Sequence, residues 1–261
     1  MKKLNFIYIG FVVLPIFALA ITGLTLMVMS SSYIWLISTF VMWILMSGLG
    51  IAVGFHRVYS HRCYVLKSWL DVIVLFFGTM ACQMSSITWV SIHMGYHHPF
   101  SDTEKDPHTP KKGWWNAFLG WTIVTDPNSI NLRYAAKLLR SKLHIFFHKH
   151  YLKILWISIF LSFLLFGWQF TLIGYAVAAM ISILQDNLVN LLGHSPSLGY
   201  RNFETKDISS NFIPLGYLGW GQGWHNNHHQ YPARFNFGVK WWEYDPCRIF
   251  IPLLKAGSIK K

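Results

Sequence analysis

Nine of the chain's 13 histidines fall in four short groups: His56-Arg-Val-Tyr-Ser-His61, His93-Met-Gly-Tyr-His97-His98, Asn190-Leu-Leu-Gly-His194 and His225-Asn-Asn-His228-His229. Neutral imidazole nitrogens are ligands for transition ions. Spacings of three and four bring rings onto one helical face. That includes His93 to His97, where the spacing of four is expected to keep one face. Adjacent histidines cannot share a face, so one member of each His-His pair is expected to reach a second ion. Nine imidazoles exceed what a single centre of about four to six ligands can use. They divide between two ions. A lone HxxxxH would ordinarily be a surface or hydrogen-bonding motif, so the signal lies in the four groups jointly.

Structural zinc favours thiolates in a closed tetrahedron. Here Cys63, Cys82 and Cys247 are dispersed, with no CxxC pair and no disulfide framework, as expected of a cytoplasm-facing protein without an iron–sulfur cluster. Ligand type leaves copper open. Few carboxylates lie near the boxes, so the carboxylate-bridged di-iron site of soluble four-helix oxygenases is not the template. A histidine-rich pair of irons at a membrane face points to oxygen chemistry on lipids.

A membrane supplies the elements. The 261 residues are 53% apolar and 12% charged, about half the usual charged share. Segments 6–29, 33–55 and 154–184 carry no charged residue, and a crossing needs roughly 20. With polar-flanked ends, 151–190 holds two spans meeting near Gly167, so four are expected: 6–29, 33–55, 151–167 and 168–190. Cations flank them: Lys2 and Lys3, then Arg57, Arg62 and Lys67, then Lys149 and Lys153, then Arg201 and Lys206. The hairpin tips, Ser30-Ser31-Ser32 and the region of Gly167, carry none. That positive-inside pattern assigns both termini and the large loops to the cytoplasm.

Lys2-Lys3 and Ala18-Leu19-Ala20 imitate a cleavable signal peptide, but the apolar run continues past them and reads as a retained span. Segment 70–89 is nearly apolar. Were it to cross, it would put the histidine groups on opposite faces, so it is expected to lie in the interface or dip in and return. The formal net charge of +12 then suits an anionic lipid surface or an acidic protein partner rather than nucleic acid. There is no repeat or long linker, so 1–261 reads as one domain: an all-α membrane protein, two hairpins under a helical cap formed by 56–150 and 191–261.

These residues are also recognisable. Gly54-Phe55-His56-Arg57 with Ser60-His61-Arg62 and Tyr64 resembles the first box of membrane fatty acid desaturases, in particular the acyl-CoA (stearoyl-type, delta-9) group. His97-His98 with Phe100-Ser101-Asp102-Thr103, Asp106-Pro107-His108 and Gly120-Trp121 resembles the second box and its tail. Leu188-Val189-Asn190, His194 and Gly199-Tyr200-Arg201 resemble the segment after the fourth span. Gly221, Gly223-Trp224-His225-Asn226, His228-His229 and Pro232 resemble the last box.

The resemblance runs nearly end to end. It implies four membrane helices under a cytosolic cap and two irons held by His56, His61, His93, His97, His98, His194, His225, His228 and His229, with Asn190 reaching one through a water. O2 and two electrons would remove two hydrogens from neighbouring methylenes, leaving a cis double bond. Asp106 and His108 are candidates to orient the ligating rings.

Three departures stand out. The family's second box is usually HxxHH, whereas His93 to His97 spans one residue more, as in related alkane hydroxylases. Ser91-Ile92 stand where acyl-CoA enzymes often carry Arg-Asp, which opens the carrier to an acyl-carrier protein or a glycerolipid ester. Gln222 replaces an acidic residue common before the final box.

An acyl chain must enter from the bilayer. Gln83, Trp89 and Trp121 are candidate walls of its tunnel, and Phe40 with Ile44, one turn apart on the second span, a candidate floor. Electrons must come from outside: the chain has no GxGxxG motif, no Walker loop, no cytochrome b5-like haem domain and no cysteine cluster. Arg133, Lys137 and Arg140, at helical spacing, could dock an acidic ferredoxin or cytochrome b5. The nearest rival function is a hydroxylase with the same irons. A metal transporter is the distant one, and it should carry ionisable residues along its spans, where the first two have none.

Overall fold

A computed structural model of the chain describes residues 5–126 and 129–258, the last four of these by backbone alone. Lys2 and Lys3 of the charge pattern lie outside the described residues. Three helical stretches are long and apolar enough to cross a membrane: α1 (Phe6–Met29), α2 (Tyr33–Ser60) and, later in the chain, α7 (Tyr151–Leu192). Between α2 and α7 lie α3 (Leu70–Met80), α4 (86–100), α5 (116–124) and α6 (Lys142–Lys149). After α7 come α8 (Ile213–Leu218) and α9 (His225–Gln230). A small antiparallel pair, β1 (Tyr64–Leu66) with β2 (Leu254–Ser258), ties the end of the chain to the exit of α2.

The 42 residues of α7 are not one rod. Gly167 has φ 82° and ψ 177°, a conformation that only glycine adopts without strain. The chain reverses there: Ser162 faces Thr171 (3.0 Å) and Ser158 faces Tyr175 (2.8 Å) across two antiparallel arms. Polar contacts orient the other helices. Thr39 donates to the Ile173 carbonyl and Ser47 meets Ser182, both at 2.8 Å, so α2 runs parallel to the second arm. Gly23 of α1 lies against the Leu172 backbone, and Ala20 packs with Ala176 and Val177, so α1 runs antiparallel to it.

It follows that the start of α1, the end of α2 and both outer ends of α7 lie at one end of the bundle. Ser30-Ser31-Ser32 and Gly167 lie at the other. The outward faces are apolar and exposed, Phe160, Phe163, Leu164 and Leu165 among them, as suits lipid rather than water. This is a membrane protein. Segment 70–89 does not form one helix. α3 has 11 residues, about 16 Å of helix and roughly half the hydrocarbon thickness. The chain then breaks at Cys82 and Met84, both with positive φ.

The second span is longer than 33–55. α2 continues to Ser60, and from Ile44 onward its backbone bonds reach back five residues instead of four. His61 N–H, for instance, donates to the His56 carbonyl at 3.1 Å. Such π-helical turns are uncommon and favour functional sites. They change the face on which side chains align, with consequences for the histidines.

One charged pair locks this end. Arg57 is wholly buried: Nη2 meets Asp245 Oδ2 at 2.8 Å, and the other guanidinium nitrogens donate to the carbonyls of Phe235 and Ala52. Phe237 lies under it at 3.9 Å. Cutting one partner from a buried pair costs about 3–5 kcal/mol. Arg57→Ala is therefore expected to unfold at markedly lower temperature in detergent, with Arg57→Lys recovering little because lysine lacks the planar fork.

Candidate metal centre

Four elements deliver the nine histidines to one place. The end of α2 brings His56 and His61, α4 brings His93, His97 and His98, the turn after α7 brings His194, and α9 brings His225, His228 and His229. They sort into two sets. His56, His61, His93, His98 and His228 form one, His97, His194, His225 and His229 the other, with ligand nitrogens in each within 4.8 Å of one another.

The split differs from the helical expectation in two respects, the first being that His225 and His228, three apart on α9, fall in different sets. His225 and His229, four apart, share a set as an α-helical face requires. His93 and His97, also four apart, do not, which is the second. The turn 93–97 is π-helical, with His98 N–H bonded to the His93 carbonyl, so His93 aligns with His98, five residues on. His56 and His61 align the same way. The residue that lengthens the second box is absorbed by this wider turn.

The spacings indicate what the sets can hold. In the five-histidine set, Nε2 of His61 and His93 are 2.8 Å apart, His93 and His98 3.0 Å, His98 and His228 3.1 Å, and His228 and His56 3.0 Å. In the four-histidine set, His194 and His225 are 3.0 Å apart, His225 and His229 3.1 Å, and His229 and His97 3.2 Å. Each Nε2 has either one hydrogen or one lone pair, so a ring nitrogen with two such neighbours cannot bond well to both through protons. A cation between them satisfies all. Two nitrogens at right angles, each about 2.1 Å from one ion, are about 3.0 Å apart. The donor sets fit a metal centre.

Electrostatics agrees. Burial first, and neighbouring imidazoles second, hold His93, His98, His225 and His228 well below the usual imidazole pKa. Burial takes His229 down to about 4 although Asp207 opposes it. Neutral rings keep their lone pairs for a metal.

Three carboxylates stand behind the four-histidine set. Asp106 Oδ2 accepts from His97 Nδ1–H at 3.0 Å, Asp102 Oδ2 from His194 Nδ1–H at 3.1 Å and Asp207 Oδ2 from His229 Nδ1–H at 2.7 Å. A carboxylate only accepts, so each fixes its hydrogen on Nδ1 and turns the Nε2 lone pair inward. Burial alone would raise these carboxyls, but their histidine partners outweigh it, and all three lie below the usual range.

Asp102 and Asp207 escaped the sequence reading. Asp102 sits in the second-box tail, at φ 60°, whereas Asp207 lies between His194 and His225, outside the histidine boxes. His108 lies 3.4 Å from Asp106, its ring 4.5 Å from that of His97, and burial pushes it down to about 3.

One cavity opens onto the centre. His56, His93, His97, His108 and His225 line it, along with Gln83, Trp89, Trp121 and Asn190. Trp89 stacks on His93 at 4.8 Å, Trp121 Nε1 donates to Asn187 Oδ1 at 2.7 Å, and Gln83 donates to the Ser182 carbonyl at 2.8 Å. Gln222 donates to Asp186 Oδ1 at 2.9 Å in the same wall, so a carboxyl from α7 stands beside position 222. Phe40 and Ile44 are elsewhere. Neither lines this cavity, and Phe40 is 56% exposed on the outside of the bundle.

The model of the fatty acid desaturase family matches residues 30–253. The chain belongs to that family. As a desaturase it is an oxidoreductase acting on a fatty acyl chain, and its paired histidine sets are groups that could hold metal ions. It is 35% identical to an sn-1 stearoyl-lipid 9-desaturase of Synechocystis sp. over 226 residues, covering 85% of this chain and 69% of that one. A delta-9 acyl-lipid desaturase of Arabidopsis thaliana is 34% identical, covering 76% of this chain and 64% of its own. An acyl-CoA C20 delta-5 desaturase of Anemone leveillei is 31% identical, covering 79% and 66%.

Proposed function

We propose that this desaturase introduces a cis double bond at the delta-9 position of an acyl chain esterified in a glycerolipid, with one iron in each histidine set. The observation that carries this is the convergence of nine imidazoles, in sets of five and four, at the wall of an otherwise largely apolar cavity. Two bound irons would supply the redox chemistry by which O2 takes the hydrogens. Overall, –CH2–CH2–, O2, two electrons and two protons become –CH=CH– and two waters.

The chain's own residues hold and position. His56, His61, His93, His98 and His228 hold one ion. His97, His194, His225 and His229 hold the other, with Asn190 joining through a water. Asp102, Asp106 and Asp207 fix the second set's rings, and His108 supports Asp106. Met84, Trp89, Ile92, Ile183 and Val189 give the acyl chain apolar walls, with Gln83 and Trp121 beside them. A fixed chain facing both ions favours loss of the second hydrogen from the adjacent carbon.

The carrier follows from Ser91 and Ile92, both buried, where a charged pair would greet CoA. With relatives named for acyl-lipid substrates, this favours a lipid ester over CoA or an acyl-carrier protein. The protein is multi-pass. α1, α2 and both arms of α7 cross the bilayer, with both termini and the histidine end in the cytoplasm of a bacterial inner membrane or on the cytosolic face of the endoplasmic reticulum. All of 1–261 acts as one unit, and electrons come from a ferredoxin or cytochrome b5.

The test is expression in a desaturase-deficient host with gas chromatography of its lipids. A new delta-9 monoene in the glycerolipids, absent with His225→Ala, is the expected result. A hydroxy acid in its place would establish the hydroxylase alternative.

A further inference from the structure

A second cavity reaches the histidines by another route. Tyr59, Ser60, His61, Arg62, Val90, Met94, His98, Tyr134 and Lys137 are among its walls. It shares no lining residue with the cavity described above. The acyl cavity meets His56, His93, His97 and His225, whereas this one meets His61 and His98.

Its rim is cationic. Arg62 and Lys137 are exposed and line it, and no Asp or Glu does. Arg62 has φ 55°, a left-handed backbone uncommon for a non-glycine residue and worth explaining where it occurs beside a site. Tyr134 packs against Gly95, where a Cβ would fall 2.1 Å from its ring. This contact seats the 131–140 segment, with Arg133, Lys137 and Arg140, directly on the turn that carries His93 and His97.

His98 is the only partly exposed member of the five-histidine set. Its ring stacks on His229 of the other set at 4.8 Å, with 21° between planes, so one ring at the floor of this opening touches both sets.

We propose that this opening is the electron port, the surface on which a small acidic one-electron protein docks, with Arg62 and Lys137 as its anchors and His61 and His98 facing the donor's redox group. Each turnover would then oxidise two donor molecules in succession, one electron apiece, while the acyl chain occupies the other cavity undisturbed. Charge selects this occupant: an acidic partner is drawn to an acid-free cationic rim. An anionic lipid headgroup would share the charge preference, but it would have no use for two imidazoles at the floor, whereas His61 and His98 there suit a redox partner. The inference rests on the desaturase reading.

The test uses the full-length iron-loaded enzyme in nanodiscs, with a [2Fe–2S] ferredoxin and a soluble cytochrome b5 haem domain as probes. Arg62→Asn with Lys137→Glu removes the rim charge, asparagine being tolerant of the left-handed backbone. Lys137→Glu alone covers the case in which the double variant misfolds, and Lys111→Glu is the control. Fluorescence anisotropy of labelled oxidised donor should show binding roughly tenfold weaker or more at low salt, converging with wild type at high salt. Turnover driven by dithionite with methyl viologen should stay at the wild-type level.

Unchanged donor binding in the variants would overturn the port. So would weakening confined to phosphatidylglycerol nanodiscs and absent from phosphatidylcholine ones, which would make the patch a lipid contact. A wild-type enzyme that bound donor in this salt-dependent way yet made no monoene with either reductant would instead bring down the desaturase reading.

Discussion

With His98 and His228 both replaced by Ala, the purified protein is expected to carry half the wild-type iron and form no detectable monoene. The two rings supply two of the five nitrogens of one set, and His98 Nε2 sits between those of His93 and His228 at 3.0 and 3.1 Å. The remaining three, His56, His61 and His93, would leave an open, partly hydrated site with much weaker hold. The other set keeps His97, His194, His225 and His229 with their carboxylates and should retain its ion. The mirror variant, His194→Ala with His225→Ala, should lose the opposite ion. Elemental analysis with gas chromatography reads both, and near-UV circular dichroism confirms that the apolar bundle, to which these rings do not belong, remains folded. A full complement of iron in either variant would contradict the division into two sets.

Much of this architecture was legible because its causes are local. Long uncharged runs yield α1, α2 and α7, a glycine with positive φ turns α7 back on itself, and histidines cluster where apolar segments end. The i,i+4 rule also puts His225 and His229 together. It misplaces His93 and His97, because a turn of π-helix shifts the face by one residue and no 3.6-residue pattern announces such a turn.

Depth alone was a poor guide to the cavity beside the histidines. Phe40 is deep in α2 but on its outer face, while Met42 and Met46 turn inward and are buried. Gln83, Trp89 and Trp121 lie on the cavity because their short helices pack against the histidines. Asp102 and Asp207 were illegible for a different reason. Each meets its histidine through a fold contact, Asp102 across 92 residues and Asp207 across 22. Composition cannot report such pairs.

The same carboxylates make the two sets unequal, which leads to the sharpest distinction between them. His97, His194 and His229 each give Nδ1–H to an aspartate, leaving only His225 of their set without a hydrogen-bond partner at Nδ1, whereas no such aspartate stands behind His228 Nδ1 of the five-histidine set among the described residues. A charged acceptor behind an imidazole raises its basicity and holds its orientation.

Asp207→Asn removes the charge and little else. Position 207 is already fixed by Oδ1, which accepts from Thr205 Oγ1 at 2.8 Å and Ser209 N–H at 3.0 Å. Asparagine can keep one acceptor on His229 or on this loop, but it cannot keep the charge. The four-histidine ion is therefore expected to bind about 10- to 100-fold more weakly, in line with other losses of this kind. The five-histidine ion should be unaffected.

Asp102→Asn is the companion, since asparagine also accepts the left-handed backbone found at 102. Titrating iron-loaded protein with a competing chelator separates the outcomes. Biphasic release in the variants, with one half at the wild-type affinity, is the signature of carboxylate support confined to one ion. Weakening of both halves together would mean that the sets share one electrostatic environment and that the aspartates act on the cluster as a whole.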